Sequence, residues 1–223
     1  MFRTGCALSA DSSFPNLPGL EPGDEEALRA ICAYRTLKAG EVFYIQGDES
    51  PQVLFPRSGL VRVSTGVANG EGVLAGLIGQ GDVVGLSAAL VGRASHTATA
   101  VTDVAGFATE GARLRRLAIE RPGLALFLAT VAAAQASAAQ DELARHARHR
   151  IDQRLARLLL RLADHMGGTE VRVTQDELAE MLAVQRTTVT ALASRLKDLG
   201  ILAYARGRIR ILDRERIARQ ACG

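Results

Sequence analysis

The stretch from Thr174 to Leu202, TQDELAEMLAVQRTTVTALASRLKDLGIL, constrains this chain more than any other part of it. Thr174 has Glu177 three residues on, so hydroxyl and carboxylate can satisfy each other's orphan backbone donors as a capping box, and a helix is predicted to start there. Leu178, Met181 and Leu182 recur at helical spacing, and the small Ala179 between them lets a second helix cross closely. The helix should end near Ala183. After Val184 and Gln185 a new period begins, with Val189, Leu192, Leu196 and Leu199 on one face and Gly200 placed to stop the helix in a left-handed cap. The pattern describes two short helices joined by a tight turn.

The other face of the second helix carries Arg186, Thr187, Thr190, Ser194 and Lys197. A helix-turn-helix lays such a face in the DNA major groove, where arginine pairs with guanine edges and threonine donates, accepts or packs on a thymine methyl. Ile201 to Tyr204 and Ile209 to Leu212 flank Ala205-Arg206-Gly207-Arg208 as a hairpin with a basic tip, and Val171-Arg172-Val173 alternates like a third small strand. The module therefore reads as a winged helix-turn-helix, with Thr174, Gln185, Arg186, Thr187, Thr190, Ser194, Lys197, Arg206 and Arg208 as the residues expected to meet duplex DNA. The alternative is a small helical hairpin whose charged face meets only water. Agreement of caps, spacing, wing and basic tip favours DNA.

A chain of 223 residues exceeds the usual single domain, and 48% hydrophobic content suffices for packed cores. The net charge of +3 conceals an asymmetry: residues 1–140 hold 11 basic and 13 acidic side chains, whereas 141–223 hold 16 and 11. The basic surplus travels with the DNA module. Cys6, Cys32 and Cys222 are scattered, without a CxxC pair, so neither a disulfide framework nor a zinc site is indicated and a reducing compartment is expected. The first 20 residues lack the apolar core of a signal peptide, and the longest apolar run, Leu124 to Ala134, is too short to span a bilayer. A cytoplasmic protein with no membrane partner is therefore expected.

Residues 36–112 contain many short Val, Leu and Ile runs punctuated by glycine, the pattern of an all-β roll or barrel; Gly47-Asp48 and Gly81-Asp82 read as turns requiring positive φ. Arg121-Pro122-Gly123 then opens a helix from Leu124 to about His146. Leu124, Phe127, Val131, Ala134 and Ala138 form a stripe at coiled-coil spacing that turns from large to small residues, as a two-fold dimer seam needs; the alternative is a helix packed within its own chain. Asp152 to Met166, with Leu155, Leu158, Leu159 and Leu162, supplies the first helix of the DNA module. The expected fold is α+β: an N-terminal segment (1–19), a β-roll sensor of double-stranded β-helix or jelly-roll type (20–120), a long dimerisation helix (121–148) and a C-terminal winged helix-turn-helix (149–223).

That order, with AGEVFYIQGD at 39–48, RSGLVRV at 57–63, GDVVGL at 81–86 and the helix-turn-helix, resembles the Crp/Fnr family of transcription regulators over roughly residues 20–212. The resemblance implies a homodimer whose roll senses a signal, whose long helices transmit it across the dimer axis, and whose recognition helices read a palindrome near promoters, commonly recruiting RNA polymerase. The departures concern the signal. Cyclic-nucleotide members carry glycine-glutamate for the ribose hydroxyl and an arginine, a small hydroxyl residue and alanine for the phosphate; here the matching positions are Gly85-Leu86 and His96-Thr97-Ala98, with Arg93 nearby. Leucine cannot accept a ribose hydrogen bond and neutral histidine replaces a bidentate guanidinium poorly, so cyclic AMP in the usual mode is not expected, and an effector pocket, if there is one, would draw on Gly85, Leu86, Arg93, His96 and Thr97. An iron-sulfur cluster is excluded by the scarcity of cysteines, and a haem would have only His96 in the roll as an axial ligand; no cofactor or metal is expected. His146 and His149 could approach a metal, but the arginines at 145, 148 and 150 oppose a cation.

In the recognition helix the family frequently presents glutamate at the position of Thr187 and arginine at that of Ala191, so the half-site should differ from the best-known ones. Ala183 stands where a glycine is usual in the turn. A cyclic-nucleotide-type module acting only through protein contacts is the competing function, opposed by the basic wing. No nucleophile-base pair, metal triad or phosphate-cradling glycine loop points to an enzyme.

Overall fold

The computed structural model describes residues 13–49, 51–66, 72–205 and 207–222, apart from the side chains of 145–147. Arg206, Cys6 and the His146 side chain, all singled out by sequence, fall outside it. After α1 (Pro22–Ala30), seven strands build the roll: β1 (Ala33–Leu37), β2 (Val42–Tyr44), β3 (Gln52–Ser58), β4 (Val61–Gly66), β5 (Gly72–Ile78), β6 (Thr97–Ala100) and β7 (Val104–Glu110). They form two antiparallel sheets, ordered β1-β7-β3 and β2-β6-β4-β5. The period of two decides which side chains fill the space between them. Val61 and Val63 on β4 and Ala98 and Ala100 on β6 enter the roll core with Leu37, Tyr44, Leu54 and Val84, while Arg62, Ser64, Thr97 and Thr99 line the opposite surface. Gly47 and Gly81 take the expected left-handed conformation, at φ +100° and +84°, and the Asp48 carboxylate closes the first turn on the Ile45 amide at 3.0 Å.

Two helices interrupt or follow the strands where only β structure was expected: α2 (Leu86–Val91), between β5 and β6, and α3 (Gly111–Glu120). The long helix α4 spans Pro122–Arg148. Leu124 and Phe127 are buried in a cluster with Leu28, Phe55, Phe107, Leu114 and Leu128 of the same chain, and Val131 packs partly against it. This corrects the predicted dimer seam: its large residues face their own roll, and only Ala134 and Ala138 remain exposed. Spacing alone does not say which of two parallel stripes a partner covers. The stripe left open is Leu126, Ala129, Ala133, Ala136, Gln140 and Leu143, with Leu126 and Leu143 about 70% exposed.

The C-terminal module follows as α5 (Ile151–His165), β8 (Glu170–Val171), α6 (Gln175–Leu182), α7 (Arg186–Asp198), β9 (Leu202–Ala205), β10 (Arg208–Ile211) and α8 (Arg214–Cys222). Leu155, Leu158, Leu159 and Leu162 of α5 are buried against Leu178, Met181, Leu182, Val189 and Leu196, as their spacing predicts; each buried leucine contributes on the order of 1.5–3 kcal/mol. That core continues into the roll through Leu60, Leu74, Leu77 and Val101, so the two parts share one apolar contact rather than a bare linker. An ion pair of 2.7 Å between Arg62 on β4 and Glu180 on α6 crosses the same junction.

Candidate nucleic-acid interface

The predicted capping box is present: the Thr174 hydroxyl accepts from the Glu177 amide at 3.2 Å, and the Glu177 carboxylate accepts from the Thr174 amide at 2.7 Å. Thr174 thereby sets the start of α6. The helix ends at Ala183, at φ +52°, the one non-glycine residue with positive φ among those described, at a cost of about 1–2 kcal/mol against right-handed backbone. This turn aims α7 outward. Its far end closes as a Schellman motif, with the Ile201 amide donating to the Leu196 carbonyl at 2.9 Å and the Gly200 amide to that of Lys197 at 2.8 Å, Gly200 sitting at φ +69°.

Between these stops, α7 buries Val189, Ala193 and Leu196 and half-buries Leu192, whereas Leu199 is exposed, a departure from the predicted apolar face. Gln185, Arg186, Thr187, Thr190, Ser194 and Lys197 are all exposed, so the structure brings the predicted reading residues onto one free surface. Two partners on α6 were not foreseen. The Thr190 hydroxyl donates to Gln175 Oε1 at 2.8 Å, and Arg186 pairs with Asp176 at 3.2 Å. Their signal was available, since a side chain one or two residues beyond an N-cap stands beside the helix that crosses it. An exposed pair of this kind is worth about 0–1 kcal/mol, so Arg186 is oriented without being withheld from a stronger acceptor.

The wing consists of β9 and β10 paired from Arg208↔Ala205 to Ile211↔Leu202, with β8 on the other edge of β10. Arg208 is exposed near the tip. Arg172, Arg208 and Arg210 surround the Glu170 carboxylate at 3.9, 3.6 and 3.4 Å.

The positions expected to form an effector pocket meet a different fate. Gly85 is buried at φ +81°, where an added Cβ would lie 2.5 Å from the Gln52 carbonyl oxygen, and Leu86 is buried in the core beside Val83 and Ala89. His96 Nε2 shares a 2.6 Å hydrogen bond with the hydroxyl of buried Tyr44, and its Nδ1 lies 3.1 Å from Ser95 Oγ. Burial lowers the His96 pKa and raises that of Tyr44, so both are neutral near pH 7. Thr97 accepts from the Gln46 amide on the outer surface, and Arg93 is exposed. Gly85, Tyr44 and His96 are thus neighbours, whereas Thr97 lines the surface cleft with Arg62 and Glu180.

Four contacts run from this region towards the helix-turn-helix. Gln135 of α4 donates to Asp82 Oδ1 at 2.6 Å and to the Val83 carbonyl at 2.7 Å, Arg161 of α5 pairs with Glu142 of α4 at 3.0 Å, and Arg154 donates to the Leu182 carbonyl at the end of α6 at 2.7 Å.

Residues 34–120 match the model of the cyclic nucleotide-binding domain and residues 153–220 that of the Crp-like helix-turn-helix domain. The transcriptional regulator LdrP of Thermus thermophilus is 30% identical over 81% of this chain and 93% of its own. A CRP-like cAMP-activated global transcriptional regulator of Mycobacterium tuberculosis is 26% identical over 91% and 94%. Among solved structures, a transcriptional regulator of the CRP family from Thermus thermophilus superposes with a TM-score of 0.73 at 28% identity, over 85% of this chain and 97% of that one. A crp/fnr family regulator from Eubacterium rectale gives 0.76 at 20% identity over 92% and 96%, a likeness of fold.

Proposed function

The chain belongs to the Crp/Fnr family of DNA-binding transcription regulators, and from that premise we propose that it acts as a homodimer reading a palindromic promoter site. The relatives and matched structures are transcription regulators rather than enzymes. The observation that carries the proposal is the exposed polar face of α7, with Arg186 at its first turn and the basic wing beside it. The dimer is supported by α4. Over Pro122–Ala144 it is long and apolar enough to cross a membrane by length and composition, yet one face packs on the roll and the other is the exposed heptad of Leu126, Ala129, Ala133, Ala136, Gln140 and Leu143. Two copies of that stripe, small in its middle, would bury it against each other. Family regulators of this kind are soluble and cytoplasmic, and we place this one there, with RNA polymerase as its partner at the promoter.

Cyclic AMP does not fit the roll. Leu86 offers no acceptor, and His96 is neutral and already bonded to Tyr44, so we infer an effector of other chemistry, or a redox signal, acting through the contacts of Gln135, Glu142 and Arg62. The test is selection of binding sequences from a random duplex pool by purified protein at near-physiological salt without added ligand. The expected result is a palindrome with half-sites one helical turn, about 34 Å, apart. Failure to bind any duplex would overturn the proposal and favour a module acting through protein contacts.

A further inference from the structure

On the flank of the reading helix, the first turn of α5, the C-terminal half of α7 and the last turns of α8 enclose an open cleft of 560 Å³. Arg150, Arg195, Arg216 and Arg219 line it, with Asp152 as the acidic residue among its lining. Asp152 is already engaged, 3.6 Å from Arg150 and accepting from Gln220 at 3.4 Å. Arg216 donates to the Leu199 carbonyl, and Arg219 has a loose 3.9 Å contact with Glu215 on its own helix. Arg195 is exposed and has no ion-pair partner among the described residues. Among the described residues the cleft is therefore a concave surface with more cationic than acidic side chains.

We propose that this cleft takes the phosphate backbone of one wall of the major groove, extending the DNA contact beyond the reading helix and wing. The proposal rests on the DNA-binding reading above. A helix about 10–12 Å across fills a groove about 12 Å wide, so side chains on its flanks meet the two phosphate walls. Arg195 lies about a third of a turn around α7 from the Thr190–Ser194 stripe, at 3.6 residues per turn, which is such a flank. On the other flank, α6 already stands against α7 through Gln175 and Asp176. The arginines of α5 and α8 continue the surface that Arg195 begins, and guanidinium is the side chain best matched to phosphate oxygens.

The test compares the full-length protein with an Arg195→Gln/Arg219→Gln variant, two positions with little structural engagement, on its selected site and on random duplexes across a salt series. The expected loss is well over 10-fold at 0.1 M salt, equal for both duplexes, with the slope of log K against log [salt] reduced by about 3.6, the worth of two phosphate contacts from each protomer of the dimer. Site preference should not change. Arg113→Gln/Arg116→Gln, on the exposed side of α3, is the control and should leave the slope as it is. A wild-type protein that selects its palindrome beside a double variant with unchanged slope would overturn the cleft assignment alone and leave the surface to an acidic protein segment. Absence of duplex binding by the wild type would overturn both readings.

Discussion

Helix α7 and the roll hold their polar side chains in opposite ways. On α7 the chemistry is held open: Arg186, Thr187, Thr190, Ser194 and Lys197 are exposed, and the two contacts to α6 orient them at small cost. In the roll the corresponding positions are closed from within, Leu86 by core packing and His96 by the Tyr44 hydroxyl. One fold thus keeps a polar surface for an external partner in one half and satisfies its polar groups internally in the other. A family match therefore carries over to the half that keeps an open polar face, with a changed choice of bases, and not automatically to the half whose polar positions are closed.

The sharpest way to break this comparison is Leu86→Glu, which restores a carboxylate where nucleotide-binding members place one. If the position is closed core, an unpaired charge there should cost about 3–5 kcal/mol, read as a lower urea midpoint with unchanged m-value. A stable variant that gained a thermal shift with cyclic AMP would mean that the roll is open after all.

How much of this contrast was legible differs between the halves for a physical reason. The helix-turn-helix is specified locally: the Thr174–Glu177 box, the Ala183 turn and the Gly200 stop each lie within a few residues of the bonds they make. The strand edges shifted by only one or two residues, from Ile201–Tyr204 to Leu202–Ala205 and from Val171–Val173 to Glu170–Val171. The roll is specified by long-range pairs. Tyr44 meets His96 across 52 positions and Arg62 meets Glu180 across 118, and no periodicity announces either. The long helix shows the same limit, because the stripe with the larger residues packs on its own roll and the exposed stripe lies two residues along.

A smaller effect separates reading from anchoring within the open half. Arg186→Ala should lose about 1–3 kcal/mol of discrimination at one base pair of each half-site while retaining random-duplex binding. Arg208→Ala should weaken all duplexes alike and lower the salt slope by about 1.8, one phosphate contact from each protomer. Competition titrations on the selected site and its single-base variants distinguish the two, and equal losses from both substitutions would erase the division of labour.

The closed half should also show itself in acid. Burial lowers the folded-state pKa of His96 below its unfolded value of about 6.5, so between those two values the unfolded chain binds the proton and the folded one does not. Stability is then complete above pH 6.5 and falls as the pH drops towards the folded pKa. His165, also lowered mainly by burial, adds a fall of the same sign. His96→Gln should flatten part of the decline between pH 7 and 5 in urea unfolding series, leaving the His165 share. An undiminished decline would mean that burial beside Tyr44 does not hold His96 neutral in the folded protein.

The smallest effect probes the turn that keeps the reading face open. Ala183 sits at φ +52°, ψ +52°, and Ala183→Gly removes the clash of Cβ with the following carbonyl. It also gives the unfolded chain more conformations to lose, about 0.5–1 kcal/mol in the opposite direction. Against a left-handed penalty of about 1–2 kcal/mol the balance is a gain of roughly 0.5 kcal/mol, a rise of about 1–2 °C in Tm for a chain of this size. Because the turn fixes the angle between α6 and α7, DNA affinity is the second readout. Higher stability with unchanged site preference would identify the alanine as a tolerated strain, whereas a changed preference would show that the left-handed alanine helps to set how α7 enters the groove.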